Sequence, residues 1–338
     1  MTTNGTNGTN GASPRPKKLS PGVYCPTVTF FRATPGQELD LELNARHFEK
    51  LARAGLHGIV VQGSTAEAVS LTPEERKQLI SLARDTWANI GNPGAIIAGT
   101  VGAQSTGEAI RLAQDAADAG ADFILSLHPN YFPAAMTPEA IQGFFEDLAD
   151  ASPIPVIIYS YPGVTSGIVM DSDLILRLSA HPNIAGVKHT DHDVGKMCRE
   201  MASTKKSPDF TILAGASDYL LGFVAVGAQG TITGTSNLAP RVCVKTWELA
   251  QNGPSPEATR LAGLIARGEW TIARGSITGQ KYATIVAQGY PLEAAAARKP
   301  ILPVSAATRA HVDSETADLI AEERKLEKEG YTGSALSQ

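Results

Sequence analysis

Cysteine is scarce in this chain: Cys25, Cys198 and Cys243 are the only three in 338 residues, far apart and in no C-x-x-C pair. That argues against a disulfide framework and a cysteine zinc site, and for a reducing compartment, the cytoplasm in the first instance. A basic excess is missing too. Lys and Arg number 29 against 34 Asp and Glu, a net charge of −5, so nothing supplies an electrostatic footprint for DNA or RNA. Long apolar runs are also absent. Stretches such as Ile154–Tyr161 fall well short of the roughly 18 residues that a membrane helix needs. No apolar core marks Met1–Lys18 as a secretory signal, and no G-x-G-x-x-G follows any strand-like run. Small molecules and further copies of the chain remain as expected partners.

Residues 1–20 carry a Thr-Asn-Gly repeat and read as a disordered polar tail. Arg15, Lys17 and Lys18 hint at a mitochondrial address, but no amphipathic pattern accompanies them. Over the whole chain, 43% apolar residues suffice for a sizeable core. Short apolar and β-branched runs recur at Val23–Phe30, Gly58–Gln62, Ala95–Val101, Asp122–Leu127, Pro155–Ser160, Ile184–His189, Phe210–Ala214 and Gly230–Thr233. Continuous apolar runs suit parallel strands covered on both faces. Helical patterns with polar starts separate them: Glu42–Arg53 closing on Gly55, Pro73–Asn89 with Thr72 and Glu75 at capping-box spacing, Ser105–Ala119 closing on Gly120. Thr137–Asp150, Asp171–Ala180, Val194–Met201 and Ser217–Val226 continue the series. The spacing predicts an α/β fold, a (β/α)8 TIM barrel over 21–235. Pro240–Gln251, Pro256–Ala287 and Ser314–Glu329 then supply a closing helix and extra C-terminal helices over 236–330. A flexible tail is expected over 331–338.

In such a barrel the chemistry gathers at the C-terminal ends of the strands. The second run delivers Gly63-Ser64-Thr65-Ala66-Glu67, the fourth His128-Pro129-Asn130-Tyr131, the fifth Tyr159-Ser160-Tyr161-Pro162, the sixth Lys188-His189-Thr190. Lys188 closes an apolar run where a β-branched residue would normally sit. Burial there disfavours the ammonium and lowers its pKa, and a neutral amine attacks ketones. A strand-end lysine that snorkels to water is the alternative. Lys245 is a rival, but Pro240 upstream marks a helix start and puts it on a helix face. Tyr159, on the neighbouring strand, could exchange protons with the Lys188 amine, or pack its ring in the barrel layer. The turn at Gly63, Ser64 and Thr65 could present backbone N–H groups to a carboxylate.

Together these motifs resemble the pyruvate-dependent class I aldolase family that contains N-acetylneuraminate lyase and dihydrodipicolinate synthase. The resemblance runs from about Val23 to Pro303. It rests on Gly63–Glu67, Tyr159-x-x-Pro162, Gly186-Val187-Lys188, Gly227-x-x-Gly230 leading to Asn237-x-x-Pro240, and Arg298-Lys299-Pro300. It implies that Lys188 forms an imine with a 2-oxo acid, that Tyr159 relays protons, and that the Ser64 and Thr65 amides hold the carboxylate. The Thr65 hydroxyl would connect the tyrosines. Tyr131 would be lent across a subunit interface in a homo-oligomer, a dimer or tetramer. Neither metal nor other cofactor is implied. Two positions depart from the family pattern. Ala66 replaces a glycine, which would strain the turn by about 1 kcal/mol if φ there were positive. Gly163-Val164-Thr165 lacks the arginine that binds aspartate semialdehyde in the dihydrodipicolinate branch, a contact worth roughly 1.5–3 kcal/mol. The expected reaction is therefore cleavage or formation of a 4-hydroxy-2-oxo acid, such as 4-hydroxy-2-oxoglutarate or a 2-keto-3-deoxy sugar acid. It would yield pyruvate, or a glyoxylate-type product, and an aldehyde, with Val164 near the aldehyde end.

Other classes stay open at this point. His189-Thr190-Asp191-His192-Asp193 could suggest a metal-dependent aldolase or hydrolase, although Asp191 and Asp193 also fit as N-cap and first-turn acid of the next helix. A non-catalytic barrel that binds a 2-oxo acid is a further alternative, and within the resemblance a dihydrodipicolinate synthase-type condensation of pyruvate with aspartate semialdehyde stays open as well.

Overall fold

A computed structural model describes Lys18–Leu336. The tail expected over 1–20 thus lies, except for its last three residues, outside the described residues, as do Ser337 and Gln338. Two of those three are docked. Leu19 is fully buried and its carbonyl accepts from Thr211 Oγ1 at 2.7 Å, while the Ser20 carbonyl accepts from the Tyr24 hydroxyl at 2.6 Å.

Eight parallel strands, β1 (Gly22–Pro26), β2 (Gly58–Val61), β3 (Ala95–Gly99), β4 (Phe123–Ser126), β5 (Val156–Ser160), β6 (Ile184–His189), β7 (Thr211–Ala214) and β8 (Gly230–Ile232), close into a barrel in sequence order. This is the predicted TIM barrel. Side chains alternate between two apolar layers, as the strand period requires. Tyr24, Val60, Ile97, Phe123, Ile157 and Leu213 fill the interior, whereas Val23, Ile59, Ile96, Val156 and Ile212 meet the helices.

The surrounding helices are α1 (Leu41–Arg53), α2 (Pro73–Ile90), α3 (Thr106–Asp118), α4 (Pro138–Ala151), α5 (Ser172–Leu178), α6 (Val194–Ala202), α7 (Leu220–Ala225) and α8 (Pro240–Ala250). Most begin on a side-chain cap: Thr72 and Glu75 form the full capping box of α2, and Ser105, Thr137 and Asp171 cap α3, α4 and α5. Because α8 packs on β1, the helical ring reaches Ala250, beyond the expected boundary at 235. Two further helices come after it, α9 (Pro256–Gln288) and α10 (Ala306–Lys328), packed on each other. Helix α9 is broken at Ser276, where φ is 56° and ψ −165°. Its Glu269–Gln280 stretch overlooks the barrel mouth.

Several boundaries differ from expectation for identifiable reasons. Pro26 ends β1 early, and the amides of Val28 and Phe30 go to the side chains of Asn237 and Asn44 at 3.2 and 3.1 Å instead of a strand. Helix α10 starts eight residues before the predicted Ser314, capped by Ser305, whose Oγ accepts from Thr308 N at 3.0 Å. The tail expected from 331 is tied down as far as it is described. Tyr331 donates to Glu248 Oε2 at 2.6 Å and Ser334 N to Glu248 Oε1 at 2.7 Å.

One irregularity matters for the site. Strands β5 and β6 pair Val156 with Ile184 but Ile157 with Gly186, so Ala185 is an extra residue, a β-bulge. Downstream the pairing is regular and sets Tyr159 opposite Lys188. Gly186 is required by the close approach of β7, since a Cβ there would sit 2.4 Å from the Thr211 carbonyl oxygen.

Candidate active site

Lys188 stands next to last in β6 and points into the barrel. It is 4% exposed, and its Nζ lies 4.2 Å from the centroid of the Tyr159 ring. Burial pushes its pKa down to about 7; the Glu269 carboxylate opposes that shift without cancelling it. The amine is therefore substantially neutral at physiological pH. This settles the snorkelling alternative, because the side chain does not reach bulk water. Lys245, the other candidate, lies on α8 and pairs with Glu257 at 2.9 Å.

Tyr159 is buried, and burial pushes its phenol up to about 12. The hydroxyls of Ser64 and Thr190 lie close enough to oppose that rise, yet neither has an aligned hydrogen bond within the described residues. Two unsatisfied buried hydroxyls beside a neutral amine are what a polar ligand would complete. The ring of Tyr161 stacks on Tyr159 with centroids 5.6 Å apart and planes 29° apart, which fixes its tilt. Tyr159→Phe keeps this stack and removes only the hydroxyl. Turnover should fall by roughly two orders of magnitude or more, with the thermal melt unchanged; steady-state rates on the folded variant check this.

The Gly63–Glu67 stretch forms a 3₁₀ turn over Ser64–Ala66, closed by Ala66 N to Gly63 O at 3.1 Å and Glu67 N to Ser64 O at 3.1 Å. The amides of Ser64 and Thr65 come first in the turn, where no upstream carbonyl is available to them. Both residues line the cavity. Ala66 carries no strain. The left-handed positions flank it, at Gln62 (φ 66°) and Glu67 (φ 56°). The side chain of Glu67 offsets that conformation: Oε1 accepts from Lys281 Nζ at 2.9 Å and Oε2 from Arg298 N at 2.7 Å. Lys281 and Glu67 are fully buried side chains, and Lys281 also sits 4.7 Å from the Phe31 ring centroid. Helix α9 thereby braces the turn through Lys281.

These groups surround a cavity of about 750 Å3, which contains Ser64, Thr65, Tyr159, Val164 and Lys188 together. One expectation needs correcting. The hydroxyl beside Tyr159 belongs to Ser64, not Thr65. Tyr131 is 76% exposed, packed edge-on against Phe132, outside the cavity of its own chain. Sequence reasoning also gave no role to Thr190, Asp218, Glu269 or Gln280, which line the same space. Thr190 was within reach, being two residues beyond Lys188 and so of the same parity. Glu269 and Gln280 come from α9, far away in sequence, where no local signal marks them.

The histidine–aspartate run after Lys188 disperses. His189 is buried on the outer side of β6, with Nε2 2.8 Å from Glu200 Oε2 and Nδ1 3.3 Å from Asp191 Oδ2. Asp191 binds Lys196 and Ser160, Asp193 rather than Asp191 caps α6, and His192 turns toward Asp218. Among the described residues no group of three or more His, Cys, Asp or Glu is disposed to hold a metal ion.

A closed barrel with a desolvated lysine at its C-terminal mouth has the architecture of a barrel aldolase, a carbon–carbon lyase. Residues 20–318 match the model of the dihydrodipicolinate synthetase family, and the chain belongs to that family. It is 38% identical over 314 residues, 93% of this chain and 99% of the other, to a protein of Emericella nidulans named probable 4-hydroxy-2-oxoglutarate aldolase, mitochondrial. It is 37% identical over 281 residues, 81% of this chain and 89% of the other, to the L-threo-3-deoxy-hexylosonate aldolase of Hypocrea jecorina. Among solved structures, a dihydrodipicolinate synthase family protein of Coccidioides immitis superposes with a TM-score of 0.83 at 38% identity, covering 92% of this chain and 99% of that one.

Proposed function

We propose that the protein is a Schiff-base aldolase that splits a 4-hydroxy-2-oxo acid into pyruvate and an aldehyde, or joins them. The observation that carries this is the buried Lys188 amine, its pKa near 7, set beside Tyr159 in the barrel mouth. The neutral amine adds to the C2 carbonyl, and the carbinolamine loses water to give a protonated imine. Tyr159, with the Ser64 and Thr190 hydroxyls beside it, passes protons to and from the departing oxygen. Tyr159, a phenolate once it has given its proton to the departing water, then takes the C4 hydroxyl proton and the C3–C4 bond breaks. Its electron pair enters the iminium to form an enamine, and the aldehyde leaves. Protonation at C3 and addition of water return pyruvate and the free amine. The Ser64 and Thr65 amides hold the C1 carboxylate throughout. Val164, in the stretch where the dihydrodipicolinate branch carries its arginine, offers aspartate semialdehyde no charged partner.

Incubation with pyruvate and borohydride should leave a permanent mass gain that peptide mapping assigns to Lys188. An unlabelled protein, or a label on another lysine, removes the imine from the mechanism. Attack requires the uncharged amine, so kcat/KM should rise with pH through about 7 and then stay level. Tyr159, held near 12, gives no alkaline limb below pH 10. A flat profile from pH 5 to 8 would contradict the assignment of Lys188 as nucleophile.

The exposed pair Tyr131 and Phe132 is the feature that fits the expected homo-oligomer, in which Tyr131 would complete a neighbour's site. Sedimentation should show a dimer or larger; a fully active monomer would refute it. The free thiols of Cys25, Cys198 and Cys243 suit a reducing compartment, the cytoplasm or the mitochondrial matrix.

A further inference from the structure

The far wall of the cavity bears on which 4-hydroxy-2-oxo acid is used, a choice that presupposes imine formation at Lys188. Among the described residues that line it, Lys188 is the only lysine and there is no arginine. Two carboxylates face it instead. Glu269, from α9, accepts four hydrogen bonds, from Ser217 N and from the hydroxyls of Ser217, Thr233 and Thr235, at 3.3, 3.0, 2.6 and 2.6 Å. All four end on Oε2, which locks the group in place. Asp218 approaches His192 only at 4.0 Å, and its buried Oδ1 has no hydrogen-bond partner within the described residues. Burial and the negative charge of Glu269 both push the Asp218 pKa up, so these two anions already repel each other. The adjoining cleft, which shares Ser64, Val164 and Ile277, contributes no lysine or arginine.

A substrate ending in a second carboxylate would bring a third anion into this space, and no guanidinium lines it; that of Arg274 lies over the Trp270 ring, 6.0 Å from its centroid, outside the lining. Hydroxyl groups behave oppositely, since each can donate to a waiting carboxylate oxygen. Trp270 adds a flat surface at the rim. It lines the cavity and is 61% exposed; the Arg274 guanidinium lies over one face of the indole, and the opposite face is flat surface of the kind on which the C–H side of a polyol packs.

We propose that the cavity beyond Lys188 is built for an uncharged, hydroxylated aldehyde tail, read by Asp218 and Glu269. A 3-deoxy-2-oxo sugar acid is then the preferred substrate, and 4-hydroxy-2-oxoglutarate the poorer one.

The test compares pyruvate release from L-threo-3-deoxy-2-oxohexonate and from 4-hydroxy-2-oxoglutarate by the full-length protein. The six-carbon sugar acid should lead in kcat/KM by about tenfold or more, the scale of a hydrogen bond to a charged acceptor. Asp218→Asn and Glu269→Gln, checked by thermal melting, should each shrink that ratio, Asp218→Asn mainly through KM of the sugar acid. Equal or better use of 4-hydroxy-2-oxoglutarate by the unaltered protein overturns the proposal, and so does a ratio unmoved in both folded variants. If a variant does not fold, the unaltered protein's ratio decides. Borohydride trapping of pyruvate is run on the same preparation. Trapping with the ratio inverted defeats only the choice of tail, whereas no trapping on Lys188 defeats imine formation itself.

Discussion

Lys188→Met is expected to abolish turnover and yet to raise the melting temperature at neutral pH. Loss of the nucleophile removes the covalent route altogether, a fall of at least roughly 10⁴-fold in kcat, with no borohydride adduct. The stability gain comes from proton linkage. In the folded protein the amine's pKa is about 7, and in the unfolded chain it takes its ordinary value near 10.4. Between those values the unfolded state binds more protons, so stability rises as pH climbs from 7 toward 10. At pH 7 and below the deficit is fully present, and it weighs against the fold by roughly 4 kcal/mol. Methionine fills a similar volume and carries no such cost. The difference in Tm between variant and parent should be largest near pH 6 and close toward pH 10. A lower Tm for the variant at pH 6 would show that the lysine is not held neutral by burial.

The second large effect concerns the support under the Ser64–Thr65 turn. Lys281→Met leaves the Glu67 carboxylate buried without its cation, in a left-handed residue that the ion pair helps to hold. Removing one partner of a buried pair costs about 3–5 kcal/mol, which should lower Tm by about 4–7 degrees for a chain of this size. The turn then loses its anchor to α9, and KM for the 2-oxo acid should rise as well. Lys281→Met combined with Glu67→Gln should recover part of the loss, because no charge is left stranded. If the double variant melts no higher than the single, the pair is not what holds the turn.

The barrel was legible because parallel strands covered on both faces are largely apolar, as Gly58–Val61 is and as β5 and β6 are up to Ile158 and Val187. Lys188 stood out for the same reason: a cation has no business closing such a run unless it does something there. What stayed hidden depended on geometry between distant segments. Nothing local in α9 marks Glu269 as lining the same cavity as Lys188, since the two are brought together only once the helix folds across the barrel mouth. The start of α10 is hard to see because its first turns are polar and alanine-rich, without apolar periodicity. Assigning the hydroxyl beside Tyr159 to Thr65 instead of Ser64 is a one-residue error, of the kind that only the pitch of a 3₁₀ turn can resolve.

The extra residue at Ala185 has a consequence for how this catalyst could arise or be lost. Ile184 and Val187 both face the helices, which strict up-and-down succession along β6 forbids. Were the same residues laid out as a regular strand from Ile184, Lys188 would fall on the outer side and be sealed under α6, an amine that no ketone could meet. The reactivity of the chain is in that sense a matter of phase. A stutter one alanine wide decides whether the same lysine is a reagent or a misplaced charge. Deleting Ala185 would straighten the strand and leave the amine facing inward, whereas ironing out the stutter with every residue kept would disarm the barrel without altering a single group that does chemistry.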